Sequence, residues 1–205
     1  MNILPAQPIL GQNLQPGYCG FITREHDLVG DGIEYFEHFE TGLPFVHTFI
    51  VEGQSSSSAI NIIEAHAGTG VARATLDQYL GQKNCQCFIR IPAGYNGKIG
   101  GEIVSAASAH LGERYSFSLI VADAVANTVL GRCLNQLTLD LPDRFLCWAL
   151  SSAHRKICSQ LVALALQDQY YLRLRGCLRR PADTIMPREL GNDPSIWNPA
   201  TYKIS

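Results

Sequence analysis

The chain has 205 residues, of which 46% are apolar and 17% are charged, and its formal net charge is −2 at pH 7. This length fits one domain with a substantial buried core, and the composition excludes an intrinsically disordered chain. The small net charge argues against electrostatic capture of nucleic acid or of an anionic membrane, and no apolar run is long enough to span a bilayer.

The N-terminal residues and the cysteine content indicate the cellular compartment. Residues 1–10 lack the basic segment and the unbroken apolar run of a secretory signal, so we expect a protein that is cytoplasmic as synthesised. The odd, scattered set of seven cysteines fits free thiols in a reducing compartment. Cys85 and Cys87 lack a matching Cys or His pair for a zinc site, and the sequence implies no metal or other cofactor.

The first half of the chain is rich in predicted strands. We expect a short strand at 20–23, and strands at 45–51 and 60–65 that flank a serine-rich turn as an antiparallel hairpin. A short helix at 75–80 and a further strand at 85–90 follow.

Helical periodicity begins near residue 100. Apolar residues recur every four positions from Ile99 to Leu111, and a second helix, capped by Ser116, carries apolar positions up to residue 125. A third helix has its buried stripe at Leu161, Leu164, Ala165 and Leu172. Residues 181–205 contain four prolines and little periodicity, so an extended C-terminal tail anchored by Ile196 and Trp197 is expected.

Strands followed by helices, without βαβ alternation, favour an α+β fold. We therefore predict one domain over residues 1–205, with an antiparallel sheet packed against helices.

Three residues point to acyl-transfer chemistry. Cys158 stands where a charged loop gives way to the third helix, and the unpaired N–H groups and positive dipole at a helix start favour a thiolate. His47 and Glu64 each interrupt an apolar strand. If Val51 and Ile60 are the last pair before the hairpin loop, His47 lies directly opposite Glu64, which would fix its tautomer and leave the other ring nitrogen as a base.

Alternatives to this arrangement stay open. A slip of one residue would send His47 and Glu64 to opposite faces, and a structural His–Glu pair beside an inert cysteine is the competing interpretation. His66 lies two positions beyond Glu64 and is an alternative orienting residue. His154, four residues before Cys158, is an alternative base that ranks below His47.

A series of short motifs runs in a characteristic order. In sequence they are Gly20-Phe-Ile, Val46-His47-Thr-Phe-Ile-Val51, Ile63-Glu64-Ala65, Gly70-Val71, Gly112-Glu-Arg-Tyr115, Cys158-Ser-Gln-Leu-Val162 and Pro187-Arg-Glu-Leu190. Over residues 17–197 this order resembles the permuted papain-like enzymes of the NlpC/P60 superfamily, which includes the YiiX-type amidases.

The resemblance implies a circularly permuted papain-like fold with an assigned role for each residue of the triad. It implies Cys158 as the nucleophile, His47 as the general base and Glu64 as the residue that orients the histidine, with Tyr115 in the substrate pocket.

Two positions depart from the family pattern. Gln160 replaces the more usual Glu, which leaves the triad untouched. Thr48 and Phe49 stand where small or β-branched residues are common, which reshapes the expected pocket and leaves the substrate open.

The first functional hypothesis is a cysteine amidase or peptidase that cleaves an amide bond in a peptide, with peptidoglycan stem peptides as the substrate that the superfamily implies. Acyl hydrolysis or transfer on lipids, known among relatives of this fold, is a variant that the apolar helices around Cys158 leave open. A non-catalytic virion or effector module is the hypothesis from a different class. Because peptidoglycan lies outside the cytoplasm, the first hypothesis requires delivery by a phage, a lysis system or a secretion machine. The sequence predicts no oligomeric state.

Overall fold

A seven-stranded sheet forms the centre of the structure. The computed structural model describes residues 2–5, 14–24, 42–55, 59–82, 84–115 and 155–204. The strands of this sheet are β1 (Asn2–Pro5), β2 (Cys19–Arg24), β3 (His47–Gln54), β4 (Ile60–His66), β5 (Gly70–Thr75), β6 (Cys85–Pro92) and β9 (Trp197–Ile204). Their order across the sheet is β1-β9-β6-β2-β3-β4-β5, and every neighbouring pair is antiparallel except β1 with β9.

The remaining elements are short. Strands β7 (Arg114–Tyr115) and β8 (Arg155–Lys156) form a separate parallel pair. The α-helices are α1 (Gly97–Ser108), α2 (Cys158–Gln167) and α3 (Pro187–Asn192), and 3-10 turns lie at Leu76–Gln78, Gly176–Arg179 and Ala182–Thr184. No helix within the described ranges has both the length and the apolar character needed to cross a bilayer.

Apolar side chains cover both faces of the sheet, because successive residues of a strand point to opposite faces. Helices α1 and α2 contribute Ile103 and Leu161 to one cluster, which also contains Phe21 of β2. The next residue along β2, Ile22, belongs to a second cluster with Leu76 and other residues of the 3-10 turn region. Helix α2 packs against β3, the strand that carries His47, and against β4.

The predicted α+β class, with an antiparallel sheet and a few helices, is confirmed. The 45–51 and 60–65 strands form the expected hairpin, as β3 and β4. The helix predicted from Ile99 is α1, which starts after Asn96, whose side chain accepts a hydrogen bond from the Ile99 N–H at 3.0 Å. Helix α2 begins at Cys158, as predicted, and ends at Gln167. Leu172, the last residue of the predicted buried stripe, is buried but lies in the turns that follow the helix.

Two elements near the first hairpin differ from the prediction. The short helix expected at 75–80 is one turn of 3-10 helix, Leu76–Gln78. Strand β5 was not predicted, because its small and charged residues give no apolar alternation. The helix expected after Ser116 lies outside the described residues, as does His154.

The prediction of an extended C-terminal tail over 181–205 is wrong. This segment contains α3 and β9, and β9 is an internal strand between β1 and β6. Its prolines do not prevent this, because Pro187 is the first residue of α3, where no intrahelical N–H is needed, and Pro199 lies where the β6–β9 register is irregular. Ile196 and Trp197 are buried as expected, and Trp197 Nε1 donates to the Leu190 carbonyl at 2.8 Å.

Candidate active site

His47 and Glu64 lie on the same face of the sheet and their side chains touch. His47 Nε2 and Glu64 Oε2 are 2.8 Å apart. The partner of Glu64 across the ladder is Phe49, so His47 is diagonal to the carboxylate. The contact forms because residues two apart on a strand share a face and a diagonal neighbour is within reach of a long side chain.

The register that predicted this contact is wrong. A bulge between Val51 and Gly53 shifts the hairpin, and Ile60 pairs with Gln54 instead of Val51. A bulge places an extra residue in one strand, which an alternation pattern cannot reveal. The predicted contact between the histidine and the carboxylate is nevertheless confirmed.

Glu64 is a buried carboxylate, 4% exposed, with a partner for each oxygen. Gln78 Nε2 donates to Oε1 at 2.7 Å, and the Tyr79 hydroxyl donates to Oε2, the oxygen that also faces His47. Burial alone raises the pKa of Glu64, but the hydrogen bond with His47, its positive charge and the donors Tyr79 and Gln78 outweigh burial and lower the pKa to about 2. Glu64 is therefore a carboxylate at neutral pH.

His47 lies between this carboxylate and the thiol of Cys158. Burial lowers the pKa of His47, but the charge of Cys158, a hydrogen bond with its side chain, and the same two effects of Glu64 raise the pKa to about 9. Because Nε2 is bonded to Glu64, Nδ1 is the ring nitrogen left for Cys158. The imidazole thus connects the thiol to the carboxylate.

Cys158 is the first residue of α2. Ile157 precedes it in extended conformation and makes no side-chain cap, while its carbonyl accepts the first helical hydrogen bond, from Leu161 N–H at 3.1 Å. The Cys158 amide has no intrahelical acceptor at this position, and the thiol sits at the positive end of the helix dipole. This is the placement that the sequence predicted.

Tyr115 is close to the same thiol. It lies in β7, which pairs with β8 just ahead of Cys158. The preceding loop docks on β5: Val71 N–H donates to the Glu113 carbonyl at 2.8 Å, and Gly112 N–H donates to the Val71 carbonyl at 2.9 Å. Burial and the negative charge of Cys158 both raise the pKa of Tyr115, so its phenol stays protonated at neutral pH.

His66, the alternative orienting residue, does not make the contact with His47. Its ring centroid is 6.4 Å from that of His47, and its Nδ1 accepts a hydrogen bond from Gly68 N–H at 3.3 Å. It is exposed at the end of β4. Glu64, and not His66, is the partner of the catalytic candidate His47.

Gln78 and Tyr79 are residues of the site that the sequence prediction missed. The sequence pattern places both in a predicted short helix and gives neither a role in the site. One signal was available: a buried carboxylate accepts several hydrogen bonds, so one histidine could not satisfy Glu64, and further donors had to come from nearby chain.

The described residues contain four thiols besides that of Cys158. All five cysteines within the described ranges are free in the structure. Burial raises the pKa of Cys19, Cys87 and Cys177. Across the part of the chain that the structure describes, there is no cluster of three or more His, Cys, Asp or Glu residues suited to a metal ion.

The sequence matches no protein-family model, and a search of curated proteins gives no match. Membership of the NlpC/P60 superfamily therefore stays a prediction that depends on the order of the motifs.

Proposed function

We propose that this protein is a cysteine hydrolase that works through an acyl-enzyme, with Cys158 as nucleophile, His47 as general base and acid, and Glu64 as the residue that orients His47. One observation carries the proposal. Glu64 binds His47 Nε2 at 2.8 Å, which leaves Nδ1 for a thiol at the start of a helix. Nucleophilic acyl transfer requires a thiol next to an imidazole that is in turn bound to a carboxylate, and these three groups are arranged in that order.

In the first half of the reaction, the Cys158 thiolate attacks the carbonyl carbon of the substrate and a C–S bond forms. The tetrahedral intermediate collapses with cleavage of the bond to the leaving group, and the His47 imidazolium gives its Nδ1 proton to that group. The products of this half are a free amine, or an alcohol from an ester, and a thioester on Cys158.

In the second half, neutral His47 takes a proton from water, and the oxygen attacks the thioester carbon. The C–S bond breaks, the acid product leaves, and the proton remaining on His47 restores the thiolate–imidazolium pair with Cys158. Glu64 stays ionised throughout, and its charge stabilises the imidazolium that each half requires.

The negative oxygen of both tetrahedral intermediates needs donors. The backbone N–H of Cys158 is suited to this because it is not used within α2. A preorganised donor of this type contributes about 3 kcal/mol to transition-state stabilisation.

The fold and substrate that we propose come from the motif order. We infer a circularly permuted papain-like fold in which β3 and β4 carry the histidine and the carboxylate and α2 carries the cysteine. The proposed substrate is an amide bond in the stem peptide of peptidoglycan, reached outside the cytoplasm through phage or secretion machinery. Tyr115, next to the thiol, is the proposed pocket residue.

The test compares two substrate classes with one pair of variants. Purified protein is incubated with muropeptides and, separately, with phospholipids, and the products are identified by mass. We expect cleavage of an amide bond in muropeptides, loss of that cleavage in Cys158→Ala, and retention in Cys177→Ala, which removes another buried thiol outside the site.

The other outcomes are equally informative. Cleavage of phospholipids alone would keep the mechanism and move the substrate to an acyl lipid. Continued turnover by Cys158→Ala would remove the nucleophile from the mechanism. Absence of turnover on both classes, with Cys158 no more reactive than other thiols, would favour the non-catalytic module.

A further inference from the structure

We propose that Tyr79 and Gln78 are positioning residues, which hold both oxygens of Glu64 so that Oε2 faces His47 Nε2. This inference rests on the proposed function of Cys158 and His47, and it assigns a role to two residues that do not touch the reacting atoms.

Two hydrogen-bond donors, one for each oxygen, fix the orientation of the Glu64 carboxylate. Gln78 Nε2 holds Oε1 at 2.7 Å, and the Tyr79 hydroxyl shares Oε2 with His47. A carboxylate held at one oxygen alone can still turn about its last bond, because that torsion has a broad energy profile. With both oxygens held, the rotation stops and Oε2 is directed at the imidazole.

The two donors come from one turn. Gln78 ends the 3-10 turn Leu76–Gln78, and Tyr79 follows it, with its N–H bonded to the Leu76 carbonyl at 2.9 Å. Leu76 is fully buried and anchors the turn against the sheet. One short element therefore delivers both hydrogen bonds, and its packing sets their direction.

The ring of Tyr79 also packs beside the histidine. It stacks on Phe49 with centroids 5.8 Å apart and ring planes 4° apart, and its centroid is 5.7 Å from that of His47. Tyr79 is 4% exposed. The phenol thus supplies a hydrogen bond to the carboxylate at a place where water has little access, and a buried carboxylate without that donor favours its protonated form.

The test uses the thiol itself as the reporter, so no substrate needs to be known. The rate of iodoacetamide alkylation at Cys158 is measured by mass spectrometry as a function of pH for the parent and for Tyr79→Phe, which keeps the ring and removes the hydroxyl. A loosely held Glu64 stabilises the imidazolium less, so a smaller fraction of the protein holds the thiolate–imidazolium pair near neutral pH. We expect alkylation near neutral pH to slow about tenfold, the size of one hydrogen bond to a charged group, and its half-maximal pH to rise.

The matched control is Tyr95→Phe. The Tyr95 hydroxyl donates to the Pro16 carbonyl at 2.8 Å, so this variant also removes one tyrosine hydrogen bond but does not affect Glu64. We expect its alkylation rate and pH profile to equal those of the parent. An equal change in both variants would show a general loss of stability and would overturn the inference.

A double variant shows whether Tyr79 affects Cys158 through Glu64 or by another route. In a Glu64→Gln background, Tyr79→Phe should change the alkylation rate less than twofold, because its target carboxylate is absent. A full tenfold loss in that background would overturn the positioning role.

Failure of the inference and failure of the proposed function give different results. Fast alkylation of Cys158 in the parent, with the same rate and pH profile in Tyr79→Phe, would overturn only the positioning role. Alkylation of parent Cys158 no faster than that of the other thiols would overturn the proposed function itself.

A second variant covers the case in which Tyr79→Phe does not fold. Gln78 is exposed, so Gln78→Met should fold, and we expect alkylation about threefold slower through loss of the Oε1 hydrogen bond. Gln82→Met is its control, because the Gln82 side chain donates to the Gln78 carbonyl and is not among the described hydrogen-bond partners of Glu64. A parent-like pH profile in Gln78→Met would count against the proposal.

Discussion

The ring of Phe49 fills the space that a side chain at Gly20, on the neighbouring strand, would need. The two residues are direct partners in the β2–β3 ladder, and a Cβ atom on residue 20 would lie 2.0 Å from Phe49 Cζ. The ring of Phe49 therefore lies over Gly20, and the ring of Tyr79 stacks on that of Phe49. The missing side chain at position 20 allows the aromatic pair to support the carboxylate of Glu64.

Gly20→Ala should therefore displace Phe49 and, through it, Tyr79. We expect a loss of about 1–3 kcal/mol in the free energy of unfolding, measured by urea denaturation, because the interior is overpacked. Cys158 alkylation should slow as well. The control is Gly101→Ala in α1, where an added Cβ meets nothing within 4 Å, and where we expect unchanged or slightly higher stability.

Substitutions of the triad should differ in severity. We expect His47→Ala to lower kcat/KM by about 10³-fold or more, because both proton transfers depend on the imidazole. Glu64→Gln keeps the shape and removes the charge, and we expect a smaller loss of about 10- to 100-fold. His66→Ala should stay within about twofold of the parent, and a loss as large as that of Glu64→Gln would return the orienting role to His66.

The cysteines should react at different rates. At neutral pH we expect iodoacetamide to label Cys158 well before Cys19, Cys87 or Cys177. All four thiols are buried, but burial raises the pKa of the last three, whereas Cys158 has His47 beside it. Peptide mass spectrometry over a time course gives the order. Uniform slow labelling of all seven cysteines would contradict it.

The His47–Glu64 pair should give stability a defined pH window. Since the pKa of Glu64 falls from 4.5 to about 2, its contribution is complete above pH 4.5 and is lost as the pH falls towards 2. Since Cys158 first, and then Glu64, raise the pKa of His47 from 6.5 to about 9, its contribution is complete below pH 6.5 and is lost as the pH rises through 9. The contribution of the pair is therefore largest between these limits.

The measurement is the difference in unfolding free energy between the parent and Glu64→Gln, obtained by urea denaturation across the pH range. We expect a difference of about 1–3 kcal/mol between the limits, narrowing on both sides. The pKa of Asp193 is also lowered, so its protonation reduces the stability of both proteins at low pH, and this effect cancels in the difference. A difference that is flat with pH would contradict the coupling.

Local pattern predicted the elements that pack by simple periodicity. The β3–β4 hairpin and helices α1 and α2 were found in this way, as was the placement of Cys158 at a helix start. The bulge after Val51, and with it the register of the hairpin, could not be predicted, because an alternation of apolar and polar residues does not reveal an extra residue in one strand. Strand β9 was missed because Pro199 argues against a strand, while its place in the sheet depends on partners far away in the sequence.

The site was predictable where chemistry limits the choice. A thiol, an imidazole and a carboxylate were identifiable as residues that an apolar core does not need. Tyr79 was not, since an aromatic residue after a short turn fits the core equally well. Its role appears only when the second hydrogen bond of a buried carboxylate has to be assigned.

The position of β9 has a consequence for biosynthesis. Strand β6 leaves the ribosome long before Trp197–Ile204, yet one of its two edges pairs with that late strand. Until then its unpaired N–H and C=O groups form an open edge that can recruit strands of other chains. Until Trp197–Ile204 is synthesised, the nascent protein is thus prone to aggregate at this edge, and a chain cut short at residue 196 would keep that hazard permanently.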